Sequence, residues 1–430
     1  MCTRIGFLVL LAATAASAPA SGQERQARAD SLERELRLLK ARVDSLQRVL
    51  AELVGRGRDT TRAQDELAAL RAAARAAAGA GEAGTDTARQ EGSRTRNLQI
   101  LNPEISVTGD IVGSFTAPDD EENQFSATPR EFEFSFQSAL DPYTRTKIFI
   151  TREEDFEIAG LPEEEGEEEG GGFEIEEGYM YWVGLPGGLG VKLGKFRQEI
   201  GLYNRWHTHA LQEIERPLAA AAFLGEDGLI QTGASLTLPS ISLGPATQTV
   251  TFETTRGSNE ALFGGGNEIS FLGRLQSFWD LGASTFQLGA TGVLGENDDE
   301  SLESRMLGLD FSFRWAPPRQ ALYRDFQLKG EWYFVEQDVD GTELSGSGGY
   351  LQASARLTRR WIVGARADYL EAVGSDAHIV QIAPSITWWQ SEWVRLRLQY
   401  NYLKPEGGSG NHTILLQSVW AVGPHKHETY

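Results

Sequence analysis

The chain breaks into about sixteen short segments in which apolar and polar residues alternate, and the gaps between them run long, short, long, short. A period of two is that of a β-strand, whose successive side chains point to opposite faces. The short gaps carry turn residues: Asp141-Pro142, Pro186-Gly187-Gly188, Pro239 to Pro245, Trp279 to Gly282, Ala316-Pro317-Pro318-Arg319, Thr358-Arg359-Arg360 and Trp389 to Glu392. The long gaps fall near 116–129, 153–173, 198–228, 257–267, 295–303, 336–347, 371–377 and 404–411. Short turns on one rim and long loops on the other are the layout of a bacterial outer-membrane β-barrel. The expected fold is all-β: a sixteen-stranded antiparallel transmembrane β-barrel preceded by an N-terminal α-helical coiled coil. An even strand count places both chain ends on the short-turn side, in the periplasm.

The direction of the alternation supports a membrane wall. Phe132, Phe134 and Phe136 alternate with Glu131, Glu133 and Ser135. Leu307, Leu309, Phe311, Phe313 and Trp315 alternate with Gly308, Asp310, Ser312 and Arg314. Val394, Leu396, Leu398, Tyr400 and Tyr402 alternate with Arg395, Arg397, Gln399 and Asn401. One face suits lipid and the other is wet and charged. Trp182, Trp279, Trp315, Trp332, Trp361, Trp388, Trp389 and Trp420 fall near predicted strand ends, as expected of interfacial aromatic girdles. A soluble β-sandwich also alternates, but its loop lengths would not alternate as well.

Four regions follow in order. Residues 1–20 read as a secretory signal peptide, with Arg4, an apolar run from Ile5 to Ala16 and small residues at Ala16-Ser17-Ala18 or Ala18-Pro19-Ala20. Residues 21–78 read as a periplasmic helical segment. Its Leu32, Leu36, Leu39, Val43, Leu46, Leu50 and Leu53 repeat at spacings of 4 and 3, the seam of a short coiled coil. Residues 79–100 read as a flexible linker and 101–430 as the barrel. No later segment holds the run of about twenty apolar residues that a spanning helix needs, so a closed barrel is the remaining way through a membrane. No plug domain is expected before the barrel. Sixteen strands leave an aqueous channel, whereas eight would close on side chains.

The formal charge is -21, and thirteen acids with no Lys or Arg lie within 153–177. Such a block stays solvated and reads as an outer loop; a divalent-cation site there is the sharper alternative. The acidic balance argues against nucleic acid as a partner. The single Cys2 lies in the signal peptide, so no disulfide or thiolate metal site is expected.

The 198–228 gap is too apolar to float in water: Trp206, Leu211, Ile214, Leu218 and Phe223 need something to pack against. It is expected to fold into the lumen and narrow it, so that Arg205, His207, His209, Glu213, Glu215 and Arg216 face the passing solute. His207 and His209 are a candidate metal pair, with His425 and His427 a similar pair near the C-terminus. Arg145, Lys147, Lys192, Arg314, Lys329, Arg356, Arg366, Arg395 and Arg397 lie on the polar face, where basic side chains attract anions. The alternative is that they pair with Glu131, Glu133, Asp310, Glu331 and Asp368 and stiffen the wall. Arg395 and Arg397, without an acid on their own strand face, are the stronger anion candidates. No Gly-x-Ser-x-Gly, His-Glu-x-x-His or phosphate loop occurs, so no enzyme and no cofactor are expected.

Ile105-Ser-Val-Thr-Gly-Asp-Ile, Leu193-Gly-Lys-Phe-Arg-Gln-Glu-Ile-Gly201 and the sixteen-strand plan resemble the phosphate-selective porin O/P family over roughly 101–430. His207-Thr-His-Ala-Leu-Gln-Glu-Ile-Glu-Arg-Pro-Leu218 and Phe223-Leu-Gly225 are similar to outer-membrane proteins described as zinc-regulated and TonB-dependent. The first resemblance implies a homotrimeric porin with an inward third loop and a basic lumen. The function expected is passive diffusion of small hydrophilic solutes, with anions such as phosphate among them. The alternative is a structural outer-membrane anchor for the coiled coil.

Overall fold

The computed structural model describes residues 103–118, 123–154, 172–297, 302–339 and 341–423. The signal peptide, the coiled-coil seam, the linker, residues 155–171 of the acidic stretch, and the His425 and His427 pair lie outside the described residues.

Seventeen strands follow one another: β1 (Glu104–Pro118), β2 (Gln124–Ala139), β3 (Thr144–Glu153), β4 (Glu174–Trp182), β5 (Gly190–Arg197), β6 (Ile230–Thr237), β7 (Ile241–Leu243), β8 (Ala246–Arg256), β9 (Ile269–Asp280), β10 (Ser284–Asn297), β11 (Leu302–Trp315), β12 (Asp325–Val339), β13 (Thr342–Arg356), β14 (Trp361–Glu371), β15 (His378–Trp389), β16 (Val394–Pro405) and β17 (Asn411–Val422). Both β6 and β7 pair with β8 and are two pieces of one strand, interrupted at Pro239, which has no N–H to give a ladder. The wall therefore has sixteen antiparallel passages. It closes where β1 pairs with β17, from Val107 opposite Val422 to Pro118 opposite Asn411, leaving no sheet edge.

Polar residues face in and apolar residues face out. Glu131, Glu133, Asp310, Arg395, Arg397 and Asn401 are buried, while Leu307, Leu309, Leu398 and Tyr400 are exposed on the outside. Aromatic pairs mark both outer margins: Trp361 with Trp388, Trp279 with Phe286 and Phe132 with Trp420 toward the short turns, and Trp332 with Tyr369 toward the loops. Trp389 departs from the girdle expectation. It lies on the inward parity of β15 and stacks under the Arg395 guanidinium, 5.6 Å from the ring centre.

The turns close by local side-chain capping. Asp141 accepts from the N–H groups of Tyr143 and Thr144, both at 2.7 Å, and Asp280 accepts from Gly282 N–H. Loop lengths are less regular than the sequence suggests. The described residues of the 295–303 and 336–347 gaps are strand except Gly341, while 316–324 separates β11 from β12 on the opposite rim. Polar, glycine-rich strand ends resemble loops in the sequence, but the ladder continues through them. Glu174, Glu176 and Glu177, expected in the acidic loop, belong to β4.

Candidate functional site: the segment inside the barrel

Residues 198–229 leave β5 and return to β6 through the barrel interior. Their neck is tied shut. Gln198 N–H donates to the Leu229 carbonyl at 3.0 Å. Asn204 donates to the Gln198 and Leu229 carbonyls and accepts from Leu229 N–H, at 2.8, 3.0 and 2.7 Å. Gly228 follows with φ +85°, and a Cβ there would lie 2.4 Å from Asn204 Oδ1, so only glycine fits.

An irregular segment inside a barrel leaves backbone carbonyls that no ladder satisfies, and each would be costly unpaired. The inward arginines cover them. Arg395 donates to the His209 carbonyl, Arg397 to Leu211 at 3.1 Å, Arg130 to Ile214, and Arg366 to Glu215 and Arg216 at 2.8 and 3.3 Å. Arg395 and Arg397 thus hold the segment as well as facing the lumen, a role that their strand pattern did not signal. Of the basic set, Arg366 is also paired with Asp368 at 2.9 Å; Arg274, outside that set, pairs with Asp310 at 2.8 Å.

The segment's own polar residues reach strands around the barrel. Glu213 accepts from Tyr203 Oη and Gln352. Glu215 accepts from Gln381 at 2.7 Å, Gln399 at 3.2 Å and Asn401. Tyr203 N–H, Tyr333 and Tyr350 all donate to Glu331. Arg205 pairs with Glu199 at 3.0 Å, and Arg216 donates to the Glu226 and Trp206 carbonyls. Lys329 Nζ sits 4.4 Å over the Tyr203 ring, and Lys147 is buried on the inner face of β3. Arg145 and Arg314 lie at the short-turn ends of β3 and β11, Arg145 exposed and Arg314 3.4 Å from Asp325. The structure does not bring those two to the segment.

The segment ends in helix α1 (Leu218–Leu224), whose apolar side chains face an inner wall that is itself apolar at this level. Leu218, Phe223, Leu224, Leu262 and Phe263 cluster with Leu272, Val293, Met306, Tyr333, Val335, Leu370 and Leu403. A uniformly wet interior is thus not what the chain builds, because the loop-side half of the lumen carries an oily cluster. Toward the short turns, a cavity of about 390 Å³ lies between the segment and the wall, lined among others by Trp206, Glu213, Arg356, Trp389, Arg395 and Arg397.

His207 and His209, the second of which also lines this cavity, meet acids. His207 Nδ1 is 2.8 Å from Glu176 and 3.0 Å from Glu133, and its Nε2 is 3.0 Å from Glu177. His209 Nδ1 is 2.7 Å from Glu131 and 4.0 Å from Glu133, and its backbone N–H donates to Glu131. Burial opposes charge on both rings. The adjoining carboxylates, Glu176 and Glu133 for His207 and Glu131 and Glu133 for His209, outweigh it and raise both above the ordinary imidazole range. Two β-bulges assemble this cluster. Between Asp110 and Val112 of β1 the register with β2 shifts, so Arg130 and Glu131 both turn inward. Between Phe149 and Ile150 the register with β4 shifts, so Glu176 and Glu177 both turn inward. Bulges re-aim side chains in this way. Strict alternation cannot reveal them, which is why sequence reasoning missed Glu176 and Glu177 as partners of the histidines.

No family model matches the sequence. An uncharacterized protein of Aquifex aeolicus (strain VF5) is 27% identical over 228 residues, 45% of this chain and 47% of that one. The chain therefore spans about half the length of the curated relative it matches. An anion-selective porin from Comamonas acidovorans superposes with a TM-score of 0.53 at 12% identity, covering 75% of this chain and 99% of the porin. Pseudomonas putida OprB, in its high-pH structure, superposes with a TM-score of 0.50 at 10% identity, covering 77% of this chain and 97% of OprB. At these identities the likeness is one of fold: the barrel is porin-like.

Proposed function

We propose that this chain is an outer-membrane porin through which small hydrophilic solutes, including anions such as phosphate, diffuse passively. The segment at 198–229 is its constriction, and the assembly is a homotrimer. The observation that carries the reading is a closed sixteen-passage wall, apolar outside, crossed internally by a segment hydrogen-bonded to strands around the lumen. Residues that need a partner on every side of a barrel fit a fixed eyelet better than a mobile outer cap. Arg356, Arg395 and Arg397 around the cavity on the short-turn side favour anions.

The test is single-channel recording in planar bilayers. Reversal potentials in a salt gradient should show anion preference in the wild type. Arg395→Gln combined with Arg397→Gln should move the reversal potential toward zero. A folded barrel that passes no current ends the reading, and a cation-selective one ends its anion part. Crosslinking in outer-membrane vesicles should yield a trimer band.

A further inference from the structure

The histidine and glutamate cluster is more than the constriction needs. Among the described residues, the ion pairs of its buried carboxylates Glu131, Glu133, Glu176 and Glu177 run to one guanidinium, Arg197, and to the two imidazoles. Glu133 stands at its centre, 1% exposed, between the rings of His207 and His209. Its Oε1 has no hydrogen-bond partner. A buried carboxylate oxygen left in this state is costly, and the other oxygen of the same carboxylate, Oε2, lies 3.0 Å from His207 Nδ1 and 4.0 Å from His209 Nδ1.

We propose that His207 Nδ1, Glu133 and Glu176, with His209 Nδ1 as the fourth donor, form a binding site for one divalent transition-metal ion of the zinc class, fastening the inner segment to the barrel wall. The donor oxygens and nitrogen of Glu133, Glu176 and His207 all lie within 4.8 Å of one another. The separations from His207 Nδ1, 2.8 and 3.0 Å, and the 4.0 Å from His209 Nδ1 to Glu133 bracket the spacing of about 3.3 Å that bonds of about 2.0–2.1 Å span at tetrahedral angles. The second ring nitrogen of His207 is held by Glu177 Oε1 at 3.0 Å, the carboxylate–histidine arrangement that fixes a metal-ligating ring. Phe149 covers the same ring, 4.4 Å between centres, and shields the site from water. Two imidazoles select against calcium and magnesium, which take oxygen ligands. The ligands come from β2, β4 and the segment, so an ion here joins elements that no covalent bond joins. The site stands whether or not the barrel conducts.

The experiment is to refold the full chain in detergent with Co²⁺ and then titrate Zn²⁺ against it. Folding is verified by heat-modifiable mobility, and conductance is recorded separately. Wild type should show ligand-field bands in the visible and bind one Zn²⁺ per chain in competition. Glu133→Gln, which keeps the shape, should weaken binding at least tenfold, and His207→Ala should abolish the bands. Glu177→Gln should weaken binding about 10- to 100-fold, as removal of an orienting partner does. A folded wild type without bands, or bands unchanged in Glu133→Gln and His207→Ala, overturns the proposal.

Discussion

A few residues decide whether the inner segment stays docked. Asn204 makes three backbone hydrogen bonds at its neck. Asn204→Ala removes all three and leaves the buried Leu229 N–H without its partner, and should cost about 1–3 kcal/mol. The readout is trypsin cleavage after Arg205, rapid in the variant and slow in wild type. Arg366 is fully buried and serves Asp368 and two carbonyls at once. Removing one partner of such a pair leaves the other charged and dry, so Arg366→Ala should lower stability by about 3–5 kcal/mol. Arg305 is the contrast: it pairs with Glu303 at 3.4 Å, but both side chains are 64% exposed. Arg305→Ala should change stability by no more than about 0.5 kcal/mol. Urea unfolding from micelles measures both, and equal effects would contradict the account of which charges matter. Reading Arg395 and Arg397 as lumen-facing needed only strand parity. Their second role, on the carbonyls of His209 and Leu211, depends on a segment nearly two hundred positions earlier in the chain.

Among the elements, α1 and the strands obey different rules. The helix is a seven-residue piece that propensity alone would not hold in water; the apolar inner wall holds it. Phe223 meets Tyr333 edge-on, 6.5 Å between centres. Phe223→Ala should leave a cavity and cost about 3–5 kcal/mol, seen as a lower urea midpoint at unchanged slope. On the strands, the face decides the outcome. Leu307 points to lipid, so Leu307→Arg near mid-wall should cost about 2–4 kcal/mol in a bilayer unfolding assay. The inward neighbour Met306 should tolerate Met306→Leu, a swap that conserves volume, at under about 1.5 kcal/mol. The dyad that predicts these faces was legible in Phe132 to Phe136 and in Leu307 to Phe313. It failed at Arg130-Glu131 and Glu176-Glu177, where one extra residue in a ladder puts two neighbours on the same side. It also misplaced loop boundaries, because polar strand ends near a rim look like loops until a paired neighbour is known.

For the whole molecule, closure is the controlling event. The β1–β17 seam pairs residues three hundred positions apart, and without it two long edges would lie unpaired in lipid, which is prohibitive. Deleting residues 411–430 should abolish the heat-modifiable folded band altogether, since the barrel has no stable open form; a truncated chain that still inserts would refute that. What the sequence determined by itself was the period, and the period fixed the kind of wall: apolar out, polar in, sixteen passages, with an inner segment too oily to remain in water. Those properties are local, because each residue's face follows from its neighbours along the strand. The tertiary structure alone decided the seam, the two bulges, the cap of backbone carbonyls by arginines and the meeting of His207 and His209 with Glu131, Glu133 and Glu176. Each of these joins residues far apart in the chain, and their proximity is set by register and closure, which no local pattern encodes.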